Sequence, residues 1–340
     1  MNKIKYLHSF HLRRALLLGS AAIPALAWVG ALRAQQPVKV IRIGFLGVRS
    51  QSTPVNPDIY YDAFVQGMRE LGYIEGKNLV IEWRFADGQA GNLPGLAAEL
   101  VRMRVDIIVT HSNGTFAAQR ATSSIPIVFA TASDPVLSGF AASLARPAGN
   151  ITGLSDISLD LSPKRLDLLK TMIPTLTSAI VLLNPGNPAH ASVLKSIQAA
   201  GQKLKIRITP LEAGTQDEIE RGFAALKSQG NTAIFVASDG FLLGQGRRIA
   251  DLAVKHRMPS MFHNREGVIA GGLMSYGQNL TDFFHRAAAY AGKIIKGAKP
   301  GDLPIEQPMR FELAVNLKTA KALGLKVPPV IMVQATKVIE

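Results

Sequence analysis

Ile41-Arg42-Ile43-Gly44-Phe45-Leu46-Gly47 is the stretch that decides the fold. A short run of branched and aromatic residues closes on glycine and gives way to Arg49-Ser50-Gln51, as the first strand of an α/β sheet does. Downstream, Tyr60, Ala63, Phe64, Gly67, Met68 and Leu71 recur at helical spacing, so residues 58–71 are expected to form a helix with one buried face. The apolar run 105–110 follows an amphipathic stretch over 93–103. Further strands are expected at 125–130, 179–183, 206–209, 233–236, 259–262 and 273–276, with helices near 189–204, 215–229, 242–257 and 279–297. Ser162 followed by Pro163 reads as a helix start, with Leu166, Leu169 and Met172 as its apolar stripe. Such alternation implies parallel sheets covered by helices on both faces.

Upstream of that first strand the chain has another character. Residues 1–34 carry Lys3, Lys5, Arg13, Arg14 and Arg33 and no acid. Arg13-Arg14 leads into an apolar stretch that ends in small residues up to Ala34-Gln35-Gln36-Pro37, the pattern of a cleaved export signal. Gly19, Pro24 and Gly30 interrupt the run, which argues against a membrane-spanning helix of about 20 apolar residues. The expected cut follows Ala34, with Ala25-Leu26-Ala27 the second choice. The arginine pair fits the twin-arginine route and the segment fits the Sec route equally. A free periplasmic protein of about 306 residues is therefore expected, by subtraction of the 34-residue leader from 340.

The chain repeats its own plan. Residues 41–47 ending in Val48-Arg49-Ser50 compare with 179–183 ending in Asn184-Pro185-Gly186. Residues 106–110 before His111-Ser112-Asn113-Gly114 compare with 233–236 before Ala237-Ser238-Asp239-Gly240. Ile125-Pro126-Ile127-Val128-Phe129 before Ala130-Thr131-Ala132-Ser133-Asp134 compares with Met258-Pro259-Ser260-Met261-Phe262 before His263-Asn264-Arg265-Glu266. Two similar α/β lobes are expected in place of one large sheet. Residues 151–156 are read as the first crossing between them, the region of Tyr276-Gly277-Gln278 as the second, and the tail from about Glu306 as a third. That divides the chain into a signal at 1–34, a first lobe of 39–152 plus about 277–305, and a second lobe of 153–276 plus about 306–340.

Composition excludes several classes. There is no cysteine, hence no disulfide, thiolate metal site or cysteine-borne lipid anchor. Net charge is +14, of which the leader carries +5, leaving +9 on the rest. Lys and Arg are dispersed, without the clustered footprint of a nucleic-acid binder, and a basic cleft attracting carboxylates fits better. Gly44-Phe45-Leu46-Gly47 lacks dinucleotide-turn spacing, and Gly-x-x-x-x-Gly-Lys, His-Glu-x-x-His and Gly-x-Ser-x-Gly do not occur. His111, His190, His256, His263 and His285 show no metal-ligand spacing. His111 and His263 fall at equivalent strand ends and suggest ligand contact or loop solvation more than a metal pair. No catalytic residue, metal or cofactor is expected.

Several longer motifs carry a family resemblance. They are Phe64-Val65-Gln66-Gly67-Met68-Arg69-Glu70-Leu71-Gly72-Tyr73-Ile74-Glu75-Gly76-Lys77-Asn78, Ser133-Asp134-Pro135-Val136, Ser143-Leu144-Ala145-Arg146-Pro147-Ala148-Gly149-Asn150-Ile151-Thr152-Gly153, and Lys164-Arg165-Leu166-Asp167-Leu168-Leu169-Lys170. With the leader and the 43–47 strand, they resemble the ABC transporter substrate-binding proteins of the tryptophan/tyrosine-binding periplasmic type, over essentially the whole chain. The resemblance implies a type I periplasmic binding fold, two Rossmann-like lobes joined by three crossovers. It also implies capture of a small solute by a monomer and delivery to a membrane permease with its ATPase.

Ligands of parallel sheets lie at the carboxyl ends of the strands, and here those ends are small and polar. The expected ligand contacts are Ser50, Gln51, Ser112, Asn113, Ser133 and Asp134 from the first lobe, and Asn184, Ser238, Asp239, Asn264 and Tyr276 from the second. An amino acid would give its carboxylate to Ser and backbone N–H groups and its ammonium to Asp239 or Asp134. Phe241 and Tyr276 are placed nearer the cleft, and Phe129 and Phe262 in the core. An exported ligand sensor, and behind it an exported hydrolase, are the alternative readings.

Overall fold

The architecture is seen in a computed structural model that describes residues 40–53, 58–226, 231–307 and 309–340. The expected leader and its cleavage site lie outside the described residues.

The first sheet is built from β1 (Ile41–Gly47), β2 (Leu79–Phe85), β3 (Ile107–Thr110), β4 (Ile127–Ala132) and β5 (Ile151–Ser155). All pairings are parallel and the spatial order is β2-β1-β3-β4-β5. Helices α1 (Ile59–Glu70), α2 (Leu93–Arg102) and α3 (Asn113–Ala121) make the crossovers. Strands β3 and β4 are buried throughout, because helices cover both faces of a parallel sheet. The strand order reverses between β1 and β3, and a crevice opens at such a switch point, outside the carboxyl ends of the strands.

The second sheet follows α4 (Ser158–Met172). It runs through β6 (Ser178–Leu183), α5 (His190–Leu204), β7 (Arg207–Glu212), α6 (Gln216–Ala225) and β8 (Thr232–Val236). It continues through α7 (Gly240–Gly244), α8 (Gly246–Lys255), β9 (Ser260–Phe262), α9 (Arg265–Ile269) and β10 (Met274–Gly277). The order β7-β6-β8-β9-β10 repeats that of the first sheet, so the internal repeat in the sequence is a repeat of topology.

Helix α10 (Leu280–Ile295) then leaves the second sheet and packs on α1 and β4 of the first lobe. Gly67 of α1 is glycine for a steric reason: a Cβ there would stand 2.7 Å from the His285 carbonyl oxygen. Phe284 of α10 fills the space beneath, 5.4 Å from the Tyr60 ring and 6.5 Å from that of Phe45. The chain next runs beside β5, where the Ser155 N–H donates to the Glu306 carbonyl at 2.8 Å and Thr152 Oγ1 donates to the Leu303 carbonyl at 2.8 Å. It ends in the second sheet as β11 (Glu312–Asn316), α11 (Leu317–Ala322), α12 (Pro329–Gln334) and β12 (Lys337–Ile339). β11 is antiparallel to β10, and β12 is parallel to β11. These are two α/β lobes of the periplasmic binding type, between which the chain passes three times.

Four details differ from the sequence reading. Residues 79–85 are a strand that was not expected. Residues 151–155 are the edge strand β5 of the first sheet, so the first crossing is confined to Asp156 and Ile157. Ser162-Pro163 lies inside α4, which starts at Ser158; proline is tolerated there in the second turn, and the Ser162 hydroxyl donates back to the Ser158 carbonyl at 2.8 Å. The helix expected over 242–257 is two helices that meet at Gln245.

Candidate functional site

The strand ends of the two lobes line a polar cleft between them. The first lobe contributes His111 and Ser112 after β3, Thr131, Ala132 and Ser133 at the end of β4, and Asp156 after β5. The second contributes Asn187, Ala189, Ser238, Asp239, Gly240 and His263. Phe116, Phe140, Leu243 and Leu280 add apolar wall. A concave space with a few convergent polar groups is the usual form of a small-molecule site.

Two carboxylates face this space and are held differently. Asp156 accepts from Ser133 Oγ at 2.8 Å, Thr131 Oγ1 at 3.0 Å, the Ser158 N–H at 3.0 Å and, across the cleft, Ser238 Oγ at 3.3 Å. Three of its four donors are hydroxyls, which rotate and also accept. Asp239 caps α7. Its Oδ1 accepts from the Phe241 and Leu242 N–H groups at 2.8 and 3.1 Å and from Asn184 Nδ2 at 3.1 Å, and its Oδ2 accepts from Asn187 Nδ2 at 2.9 Å. Those donors are amides of its own lobe, and the two Asn side chains are held in this orientation by the Gly186 and Ala189 N–H groups, which donate to their Oδ1 atoms at 2.9 and 3.1 Å. His190 secures this loop: its Nδ1 accepts the Asn184 N–H at 2.8 Å, so the ring proton is on Nε2, which donates to the Ser238 carbonyl at 3.1 Å.

Both cavity histidines are buried and each has one nitrogen without a partner, Nε2 of His111 and Nδ1 of His263. Burial, and then the charge of Arg49, holds His111 well below the ordinary histidine range. Burial, then Arg165 and His190, pushes His263 down to about 3. Both rings are therefore neutral at pH 7 and present unused hydrogen-bonding capacity beside the cavity. Ser112 lies on the turn from β3 into α3 with φ 50° and ψ −126°, a conformation that L residues rarely adopt. Such strain recurs where a backbone is held for a ligand.

The lobes touch around the cavity. The Gly240 N–H donates to Ser112 Oγ at 3.3 Å, and Asn264 Nδ2 donates to the Tyr60 hydroxyl at 3.1 Å. A Cβ on Gly240 would stand 2.8 Å from Val48 Cγ1, so the approach requires glycine. At the rim, Arg49 forms a two-point pair with Asp58, Nε to Oδ2 at 2.7 Å and Nη2 to Oδ1 at 3.0 Å, with its guanidinium 4.6 Å from the Tyr61 ring centroid.

Of the expected contacts, Ser112, Ser133, Ser238 and Asp239 come together in the cavity. Asp134 lies in an adjoining groove with Leu137, Leu159 and Val193, and its carboxylate accepts the Leu137 N–H at 3.0 Å. Ser50 lies in a groove along the rim, and Gln51 lies against Tyr61 and Trp83 on the outside of α1. Asn184 is behind Asp239, and Asn264 bridges Tyr60 and Glu266. Asn113 is buried in the first turn of α3 without partners for its amide. The Tyr276 ring packs on Phe311 at 5.9 Å, away from the cavity. Phe129 and Phe262 are core residues, and so is Phe241, which lies against Gly88. Thr131, Asp156 and Asn187 are cavity residues that the sequence reading did not select. Among the described residues no group of three His, Cys, Asp or Glu side chains is placed to hold a metal ion. No described helix is long and apolar enough to cross a membrane.

Comparison with known proteins follows the same line. A family model described as ABC transporter substrate binding protein matches residues 56–339. A tyrosine-binding protein of Clostridioides difficile (strain R20291) is 25% identical over 265 residues, which are 77% of this chain and 76% of that protein. An ABC domain from Streptococcus pneumonia, solved in complex with L-Trp, superposes with a TM-score of 0.79 at 22% identity, covering 88% of this chain and 100% of that one. The ligand-free, open structure of a substrate binding protein with adhesive properties from Clostridium difficile covers 88% and 99% at 24% identity, with a TM-score of 0.58.

Proposed function

The chain belongs to the ABC transporter substrate binding protein family, and on that premise we propose that it is the exported solute-binding component of an ABC importer. It takes an amino acid with an aromatic side chain between its lobes and passes it to a membrane permease driven by an ATPase. The observation that carries this reading is Asp156, a buried carboxylate in the interlobe cavity surrounded by hydroxyls from both lobes. An ammonium group arriving there finds a charge partner, and the three hydroxyls are free to turn toward it. His111 and His263 are uncharged and add no positive charge to that wall, while Ser112 and the N–H groups at the adjoining helix starts offer donors to a carboxylate.

The role is binding, not catalysis. The relatives named above are binding proteins, one for tyrosine and one holding L-Trp. In this reading β1–β5 with α10 move as one body and β6–β12 with α4 as the other, and closure around the ligand makes the form that the permease accepts. The protein acts as a periplasmic monomer released from its leader.

Thermal unfolding of the chain from Gln35, with and without L-tryptophan or L-tyrosine, tests this. A ligand at a hundredfold excess over its dissociation constant adds about 2.7 kcal/mol to the folded state. A rise in Tm with either amino acid and none with sugars or nucleosides is expected. A rise with a sugar or nucleoside alone would sink the amino-acid reading.

A further inference from the structure

Arg165 is the largest fully buried side chain in the protein among the described residues, at 1% exposure, and it plays no part in the cavity wall. It projects from the third turn of α4. No carboxylate pairs with it among the described residues. Its partners lie at the second-lobe ends of the first and second crossings. Nε donates to the Tyr276 carbonyl at 2.6 Å, in β10 just before the second crossing. Nη1 donates to Ser158 Oγ at 3.1 Å and approaches the Ser158 carbonyl at 3.5 Å, immediately after the first crossing. Nη2 has no partner.

The two crossings are unusual on either side of this guanidinium. Ile157, the one residue between Asp156 and Ser158, has φ 41° and ψ 33°, a left-handed conformation that is rare for a β-branched side chain. Gly277 is wedged where a Cβ would stand 1.9 Å from the His263 carbonyl oxygen and 3.4 Å from Arg165 Nη2. An unpaired charge in a protein interior is costly, and the apolar residues around α4 would accept a methionine at this position without that cost. The charge is explained by what it holds. One rigid planar fork ties Ser158 and Tyr276, 118 residues apart in sequence, and lysine, with a single nitrogen, would not span both. Burial lowers Arg165 to about 10, opposed by Asp156 and Tyr276, so it stays charged at neutral pH.

We propose that Arg165 is the positioning residue of the interlobe hinge: by clasping the first and second of the three crossings it restricts lobe motion to one swing, and so sets ligand affinity from outside the cavity. This rests on the solute-binding reading. Its test uses the absence of cysteine in the native chain. Spin labels at Lys77→Cys and Lys203→Cys, exposed positions on opposite lobes, report the interlobe distance. In the parent, addition of L-tryptophan or L-tyrosine should move the distance distribution to one narrow peak.

In Arg165→Met the ligand-free distribution should broaden, and affinity for the same amino acid should fall tenfold or more at unchanged circular dichroism. Arg165→Lys should restore part of both. If Arg165→Met does not fold, Ser158→Ala removes only the Oγ contact and should still broaden the distribution. Parent-like distributions and affinities in the folded variants would overturn the proposal. If neither amino acid narrows the parent distribution while Arg165→Met still broadens it, the hinge assignment stands and the ligand assignment falls.

Discussion

Asp156, directly after the last strand of the first lobe, accepts a 3.3 Å hydrogen bond from the hydroxyl of Ser238, directly after β8 of the second. The same carboxylate thus links the two lobes across the cavity and offers a charge to a ligand. Asp156→Asn should lower affinity for L-tryptophan or L-tyrosine by about ten- to a hundredfold, in line with about 1.5–3 kcal/mol for a hydrogen bond to a charged group. Isothermal titration measures it, and an unchanged dissociation constant would remove Asp156 from the site.

Asp239→Asn should behave in the opposite way. Its carboxylate caps α7 and collects four fixed donors, so the substitution should lower stability by about 1 kcal/mol or more and affinity comparatively little. Denaturant unfolding beside titration separates the two. A loss of affinity at unchanged stability would return the ammonium contact to Asp239.

Acid should weaken the fold through the cavity histidines. His263 is pushed down to about 3 in the folded protein, whereas it titrates near 6.5 in an unfolded chain. Between those values the unfolded chain binds a proton that the folded chain excludes. Stability is therefore full above about pH 6.5 and declines as the pH falls toward 3, by up to about 1.4 kcal/mol per pH unit for that one group. His111, also lowered by burial, adds in the same direction. Urea midpoints at pH 7 and pH 5 should differ less in His263→Gln than in the parent; equal differences would contradict the assignment.

Glycine at 277 should prove irreplaceable, while glycine at 91 should not. Gly277→Ala drives a methyl into the His263 carbonyl, and overpacking of this kind costs about 1–3 kcal/mol. At Gly91 nothing lies within 4 Å of the added carbon, so Gly91→Ala should be neutral or slightly stabilising. Tm values of the two variants decide it.

Ile157 invites a gain. A left-handed conformation costs an L residue about 1–2 kcal/mol, and glycine adopts it freely. Ile157→Gly should therefore be no less stable than the parent, although glycine normally destabilises. A clear fall in Tm would show that the Ile157 side chain contributes more than its backbone costs.

The lobes were legible in the sequence because the repeat preserved the order of strand, turn and polar strand end in both halves. β2 was missed although Leu79, Ile81, Trp83 and Phe85 alternate with Glu82 and Arg84, the period of a half-covered edge strand. The site was legible in part. Ser112, Ser133, Ser238 and Asp239 follow buried strands that point into the cleft, and that is a local property. Asp156 follows a strand that was taken for a linker, which hid it. Ser50 and Gln51 also follow a strand, but the chain turns outward after Val48, where Arg49 is drawn to Asp58. Such a displacement is decided by a contact nine residues along the chain, not by the strand-end pattern.

The seating of α10 on α1 has a consequence for biogenesis. The first lobe contains the earliest strands to be made, yet its core lacks Phe284 until almost the whole chain is available. An emerging chain of some 270 residues therefore holds an exposed apolar face on α1 with nothing to cover it. The half of the molecule that is synthesised first is left incomplete until α10 follows most of the second lobe, which favours keeping the chain unfolded until that helix has arrived.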